Sequence, residues 1–258
     1  MGPQGEEGPV KDLRQQYQLA PMSVSDLLKE TATIYKIRFK PLILLALVPQ
    51  IPAFLLSFLP NAATISVTLV LFLFVLPLSA LASGGSVITI TQHYLEGHIH
   101  LGSSFRRAWY RILSLSVGHL VFGLCLIGAA ALSSIVIGIP LLFFLLVIWY
   151  CFVPCIMLEG KGPLDSMWRS RDLVKGYYWR VLGICLIYTF ILLVIAFIAV
   201  SVNYGLSNIS TVLSSLVVAT AGVIILPIGW IGQTLVYLDL RARKENYNMA
   251  DLANDSSV

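Results

Sequence analysis

The chain has 258 residues, of which 57% are hydrophobic and only 12% charged, and its mean hydropathy is +0.84. A water-soluble domain carries roughly twice that charged fraction, so the composition points to an integral membrane protein and away from a soluble domain. A net charge of +4 dispersed along the sequence argues against a nucleic-acid partner, and basic residues in such a chain suit anionic lipid headgroups.

In chain order, residues 1–21 read as a disordered cytoplasmic tail, Gly/Pro-rich at the start and without the apolar core of a secretory signal. A segment running from Ser23 through Leu27 and Leu28 to Ile34 has helical periodicity, with Val24, Leu27, Leu28, Thr31 and Ile34 on one face. Ser23 or Ser25 is placed to cap it. From Lys40 to Glu96 no charged residue intervenes. That run is long enough for two helices of about 20 residues each, with Pro60-Asn61 as the turn. Two further uncharged runs follow, 112–158 and 181–238, broken near Gly138-Ile139-Pro140 and near Asn203-Tyr204-Gly205 with Asn208. Backbone groups in lipid must be satisfied within a segment, and the runs lack strand-like alternation, so they are expected to be helices.

The expected fold is therefore all-α integral membrane. Six transmembrane helices, at about 41–59, 62–91, 112–137, 139–158, 181–203 and 211–238, form three hairpins within a membrane domain of residues 22–245. Residues 246–258 read as a polar C-terminal tail. All 17 basic residues fall before the first run, between runs or after the last, and the three opposite turns hold none. The positive-inside rule then predicts a multi-pass protein of the cell membrane with both termini cytoplasmic.

The hairpins look like repeats. Lys40, Arg111 and Arg180 stand at their entrances, recurring about every 70 positions, and Pro77, Pro154 and Pro227 recur in the returning helices. Those helices end in similar words: Tyr94-Leu95-Glu96-Gly97, Met157-Leu158-Glu159-Gly160 and Tyr237-Leu238-Asp239. Each hairpin is preceded by a short amphipathic stretch. The second has Phe105, Ala108, Trp109 and Ile112 on one face, and the third has Leu164, Met167, Trp168 and Val174 with Pro163 in its first turn. Such helices either lie in the headgroup plane or pack together as a cytoplasmic cap.

The words Leu158-Glu159-Gly160 and Pro163-Leu164-Asp165-Ser166-Met167-Trp168-Arg169-Ser170-Arg171-Asp172, continuing Leu173-Val174-Lys175-Gly176-Tyr177-Tyr178-Trp179-Arg180-Val181-Leu182-Gly183-Ile184, carry a family likeness. They resemble the central motif of the glycerophosphoryl diester phosphodiesterase membrane-domain family, which includes prokaryotic six-span proteins. The opening Val24-Ser25-Asp26-Leu27-Leu28 and Phe39-Lys40-Pro41-Leu42 also resemble that family's entry helix. The resemblance implies a membrane fold and a prokaryotic source. Some members join this module to a soluble phosphodiesterase barrel. The present sequence contains no such barrel, so phosphodiesterase activity is not expected.

Candidate contacts to lipid headgroups or a partner are the basic-aromatic residues Arg106, Arg107, Arg111, Trp168, Arg169, Arg171, Lys175, Trp179 and Arg180. Simple topology anchoring uses the same residue types. Candidate intramembrane polar residues are Gln50, His119 and Gln233. His119 either relays a proton or binds a headgroup, or is a neutral imidazole hydrogen-bonded to Ser116 or a neighbouring helix. Cys125, Cys151, Cys155 and Cys185 read as small apolar fillers, and His98-Ile99-His100 matches no strong zinc spacing, so neither a metal nor a cofactor is expected. The preferred reading is a non-catalytic protein organising membrane lipids or a protein partner at the cytoplasmic face. A transporter or channel for a small neutral or lipidic substrate, and a lipid-acting membrane enzyme, are the alternatives.

Overall fold

The computed structural model describes residues 19–56, 65–95, 100–135, 138–207 and 210–257. The expected tail before residue 19, the Pro60-Asn61 turn, Glu96, His98 and Asn208 lie outside the described residues. Every element among the described residues is helical. In order they are α1 (Val24–Ile37), α2 (Phe39–Leu56), α3 (Ile65–Leu95), α4 (Leu101–Tyr110), α5 (Ile112–Ala131), a 3-10 turn (Leu132–Ile135) and α6 (Gly138–Ile148). There follow α7 (Phe152–Leu158), α8 (Pro163–Val174), α9 (Tyr178–Ser207), α10 (Thr211–Glu245) and α11 (Met249–Ser257).

Among the described residues, five stretches are long and apolar enough to cross a membrane: Leu73–Leu95, Ile112–Ala131, Gly138–Leu158, Tyr178–Leu206 and Val212–Glu245. The apolar stretch Phe39–Pro52 in α2 is shorter. The centre of the bundle is the second half of α3, where every residue from 80 to 91 is buried. Its small side chains permit that position. A Cβ on Gly84 would lie 2.6 Å from Leu115 on α5, and one on Gly85 would lie 2.9 Å from Leu45 on α2. Alanine at either place would oblige the leucine opposite to move.

Local chemistry sets the element boundaries. Ser23 caps α1 in a reciprocal box: its hydroxyl accepts from the Asp26 amide at 3.1 Å, and the Asp26 carboxylate accepts from the Ser23 amide at 3.1 Å. The Ser23 hydroxyl also donates to the Asp26 carboxylate at 2.6 Å, and that bond, followed by the one from the Ser23 amide, holds the Asp26 carboxyl below its ordinary value. The chain turns from α1 into α2 at Arg38 (φ −106°, ψ 25°) and from α4 into α5 at Arg111 (φ −103°, ψ 8°), two nearly identical one-residue kinks. The corresponding turn from α8 into α9 is longer and runs through Gly176, whose φ of +90° favours glycine.

The stretch after the 3-10 turn departs from the sequence reading of one continuous span over 139–158. It breaks at Trp149-Tyr150-Cys151 between α6 and α7. Pro154 has no N–H to offer the Tyr150 carbonyl four residues back. Gln233 of α10 supplies that bond instead, its Nε2 donating to Tyr150 O at 2.5 Å. On the other side of the break, the Cys151 amide donates to Ser170 Oγ of α8 at 3.0 Å. Neighbouring side chains thus make the break affordable in an apolar setting.

A second departure concerns the end of the chain. α10 continues past Leu238 to Glu245, with Arg243 and Lys244 in its last turn, where cations suit the helix dipole. Asn246, at φ 51°, reverses the direction. The expected polar tail then forms α11, with Leu252 fully buried and Tyr247 nearly so. This helix packs on α3 and α7.

Candidate functional site

Charged side chains gather at one end of the bundle, where the short helices α1, α4, α8 and α11 meet the ends of the long ones. Each of the first three sinks one stripe into the core: Leu27, Thr31 and Ile34 on α1, Ser104 and Ala108 on α4, and Ser166, Met167, Ser170, Leu173 and Val174 on α8. Small polar residues in these stripes bond across the contact. The Tyr188 hydroxyl lies 2.5 Å from Thr31 Oγ1, and Ser104 Oγ donates to Gln92 Oε1 at 3.3 Å. Tyr188 reaches α1 by lying flat on Gly232, where a Cβ would come within 2.7 Å of its ring.

Two ion clusters fasten this end. In the first, Asp239 of α10 is 1% exposed and accepts from Arg180 (Nε, 3.2 Å), Arg243 (Nε, 3.0 Å) and the Met22 amide (2.7 Å). Both arginines also donate to the Met22 carbonyl, so the segment before α1 is tied to α9 and α10. A carboxylate this buried is tolerated because every partner is charge-assisted. In the second cluster, Glu159 accepts from Arg169 Nε at 2.8 Å and from the Tyr237 hydroxyl at 3.1 Å. Arg169 also bonds Glu245, which pairs with Arg241 at 2.9 Å. Arg241 lies 3.7 Å over the Tyr247 ring and bonds Asp255 of α11 at 2.5 Å. Burial alone would lower the Arg169 pKa, but its bonds to Glu159 and Glu245 outweigh that and raise it. Burial, and then the bond to Asp255, push the Tyr247 hydroxyl up.

Three arginines at the starts of long helices bond near the far end of a following helix; the first is Arg38, while Lys40, read as the entrance residue, is exposed. Arg38 Nε donates to His93 Nδ1 at 3.0 Å, Arg111 Nη1 to Gly160 O at 3.0 Å, and Arg180 to Asp239.

The nine basic-aromatic candidates therefore divide. Arg111, Arg169 and Arg180 turn inward to protein partners. Arg106, Trp168, Arg171, Lys175 and Trp179 are exposed, and Arg107 is half-buried. Arg171 lies 5.3 Å from the Trp168 ring centroid. The apolar stripe read for α8 also divides, because Met167 and Val174 are buried while Leu164 and Trp168 face outward.

The three intramembrane polar candidates each have separate neighbours. Gln50 of α2 packs on Gly222 of α10, and Gln233 serves the α6–α7 break. Three turns of α10, about 16 Å, separate Gly222 from Gln233. His119 Nδ1 donates to the Leu115 carbonyl at 2.8 Å, its Nε2 faces Ser83 Oγ at 3.5 Å, and its ring stands edge-on to Phe152. The close bond is thus to its own helix, with the Leu115 carbonyl in place of the expected Ser116, and only the longer Ser83 contact reaches a neighbouring helix. Among the described residues no group of three His, Cys, Asp or Glu gathers to hold a metal.

Sequence reasoning did not select the carboxylates that organise this end. Glu159 and Asp239 were visible only as matching words closing two returning helices, and Asp255 carried no signal. No family model, no curated protein and no solved structure matches the chain.

Proposed function

We propose that the chain is a six-span membrane protein of three hairpin repeats that organises lipids at the cytoplasmic face through its short entry helices. In this reading α2 is the sixth span, the charged end faces the cytoplasm, and both termini lie there. The order short helix, long helix, returning helix occurs three times along the chain. The three arginine links from hairpin entrance to returning helix support the repeat. The likeness to the glycerophosphoryl diester phosphodiesterase membrane-domain family belongs to this proposal and fits a membrane module without catalytic duty.

The observation that carries the lipid reading is a division of labour among cations. Buried or half-buried carboxylates neutralise Arg169, Arg180, Arg241 and Arg243 within the protein. Lys36, Lys40, Arg106, Arg171 and Lys175 stay exposed beside the outward aromatics Phe39, Trp109, Tyr110, Trp168 and Trp179. Aromatics with exposed cations are the composition that favours the headgroup layer of an anionic leaflet. A broken helix is a feature of transporters, yet the polar groups freed at this break are bonded by Gln233 and Ser170 and offer no ready ion site.

The test is native mass spectrometry of protein released from nanodiscs containing equal phosphatidylglycerol and phosphatidylcholine. Retained lipid enriched in phosphatidylglycerol is the expected result. Release without lipid, or with the two lipids in equal amount, overturns the reading.

A further inference from the structure

α8 is the richest of the entry helices, and its side chains sort into three faces. At about 100° per residue, Leu164, Trp168, Arg171 and Lys175 fall along one line within about 60° of arc. All four are exposed, Leu164 by 58% and Trp168 by 60%. The buried stripe lies opposite. Asp172, Asp165 and Arg169 follow on the adjoining flank, about 40°, 60° and 100° beyond Trp168 at the edge of that line. That flank meets other charged elements: Arg169 bonds Glu159 and Glu245, and Lys244 bonds the Asp172 carbonyl. Asp165 and Asp172 are exposed on that flank, beside the Leu-Trp-Arg-Lys line rather than on it.

A helix lying in a membrane surface needs such a division, with one face to protein, one to water and one to the headgroup layer. On the third face, Leu164 and Trp168 supply apolar contact while Arg171 and Lys175 supply charge toward one end. Gly176 then turns the chain into α9, where Trp179 is 81% exposed. The Trp168 ring already sits near the Arg171 guanidinium, which orients that fork.

The geometry points to this line as a docking surface for an anionic glycerophospholipid, with the phosphate held by Arg171 and Lys175 and the upper acyl region lying against Trp168 and Leu164. The inference rests on the proposed placement of the charged end at the membrane surface and names the site within it. It also assigns opposite duties to two arginines only two residues apart. Arg169 holds the protein together, and Arg171 holds lipid.

The experiment compares the full-length protein with an Arg171→Gln/Lys175→Gln variant in the same mixed nanodiscs. Wild type is expected to retain phosphatidylglycerol over phosphatidylcholine. The double variant should lose about tenfold of that preference, because each surface cation contributes to anionic-lipid attraction. Its melting temperature should match wild type, since both side chains are exposed. The charge-conserving pair Arg171→Lys/Lys175→Arg should keep the preference. Arg169→Gln should lower the melting temperature and leave the preference of the folded fraction intact. If wild type prefers phosphatidylglycerol and the double variant retains it equally well, the site assignment fails while the broader reading stands. If wild type shows no preference, both fail.

Discussion

At the scale of single residues, the buried carboxylate Asp239 shows most clearly how charge serves this fold. Its neighbours are two guanidinium groups and a backbone amide, and its own exposure is 1%. Replacing it by Asn leaves Arg180 and Arg243 facing each other without an anion. Breaking one partner out of such a cluster costs about 3–5 kcal/mol, far more than an exposed pair would. Asp239→Asn is therefore expected to lower the thermal midpoint in detergent sharply. Arg180→Lys, which keeps the charge and loses the fork that bridges Asp239 and the Met22 carbonyl, should fall between that variant and wild type. A midpoint for Asp239→Asn equal to wild type would show that the cluster contributes nothing to stability. Gly160 teaches a related lesson. Its φ of +66° disfavours a side chain, and a Cβ there would lie 2.8 Å from the Arg111 guanidinium that bonds its carbonyl.

At the scale of elements, α11 illustrates why part of the fold escaped the sequence. Its nine residues include only two large apolar side chains, Met249 and Leu252, among Ala, Asp, Asn and Ser, which reads as a solvated tail. Helices this short do not persist alone, and this one exists because it docks. Leu252 is fully buried, and Asp255 bonds both Arg241 and the Tyr247 hydroxyl. Leu252→Ala should cost about 2–5 kcal/mol of docking. Hydrogen exchange should report the loss as faster exchange in residues 247–257, with little change in α9. Unchanged exchange in those residues would contradict the docking argument. The long apolar helices were legible, because uninterrupted runs between charges leave little choice. The α6–α7 break was half legible: Pro154 announced a disturbance, but the turn at Tyr150 depends on Gln233 and Ser170, which lie far away in sequence. The interior duties of Arg169 and Arg180 were hidden for the same reason. In sequence they are indistinguishable from Arg171, and only the carboxylates they meet tell them apart.

At the scale of the whole molecule, the outward ridge of α9 gives the bundle a measurable position in the bilayer. Trp179, Leu186, Phe190, Leu193, Phe197 and Tyr204 are all exposed and recur at spacings of three, four and seven, which keeps them on one face of the helix. The ridge is aliphatic and Phe-rich between an amphipathic Trp and an amphipathic Tyr. From Trp179 to Tyr204 the helix rises about 37 Å, more than the hydrocarbon core of about 30 Å and less than the full bilayer of about 40–45 Å. Trp and Tyr at those two heights would each sit in a headgroup layer, with Leu193 near the middle. The four native cysteines can be replaced, so that Trp179→Cys, Leu193→Cys and Tyr204→Cys each carry a single spin label in vesicles. Power saturation should then find the label at 193 most accessible to oxygen and least accessible to a polar nickel reagent, with 179 and 204 reversed. A flat profile along the three positions would mean that this ridge faces protein or water, and the six-span arrangement would lose its third hairpin.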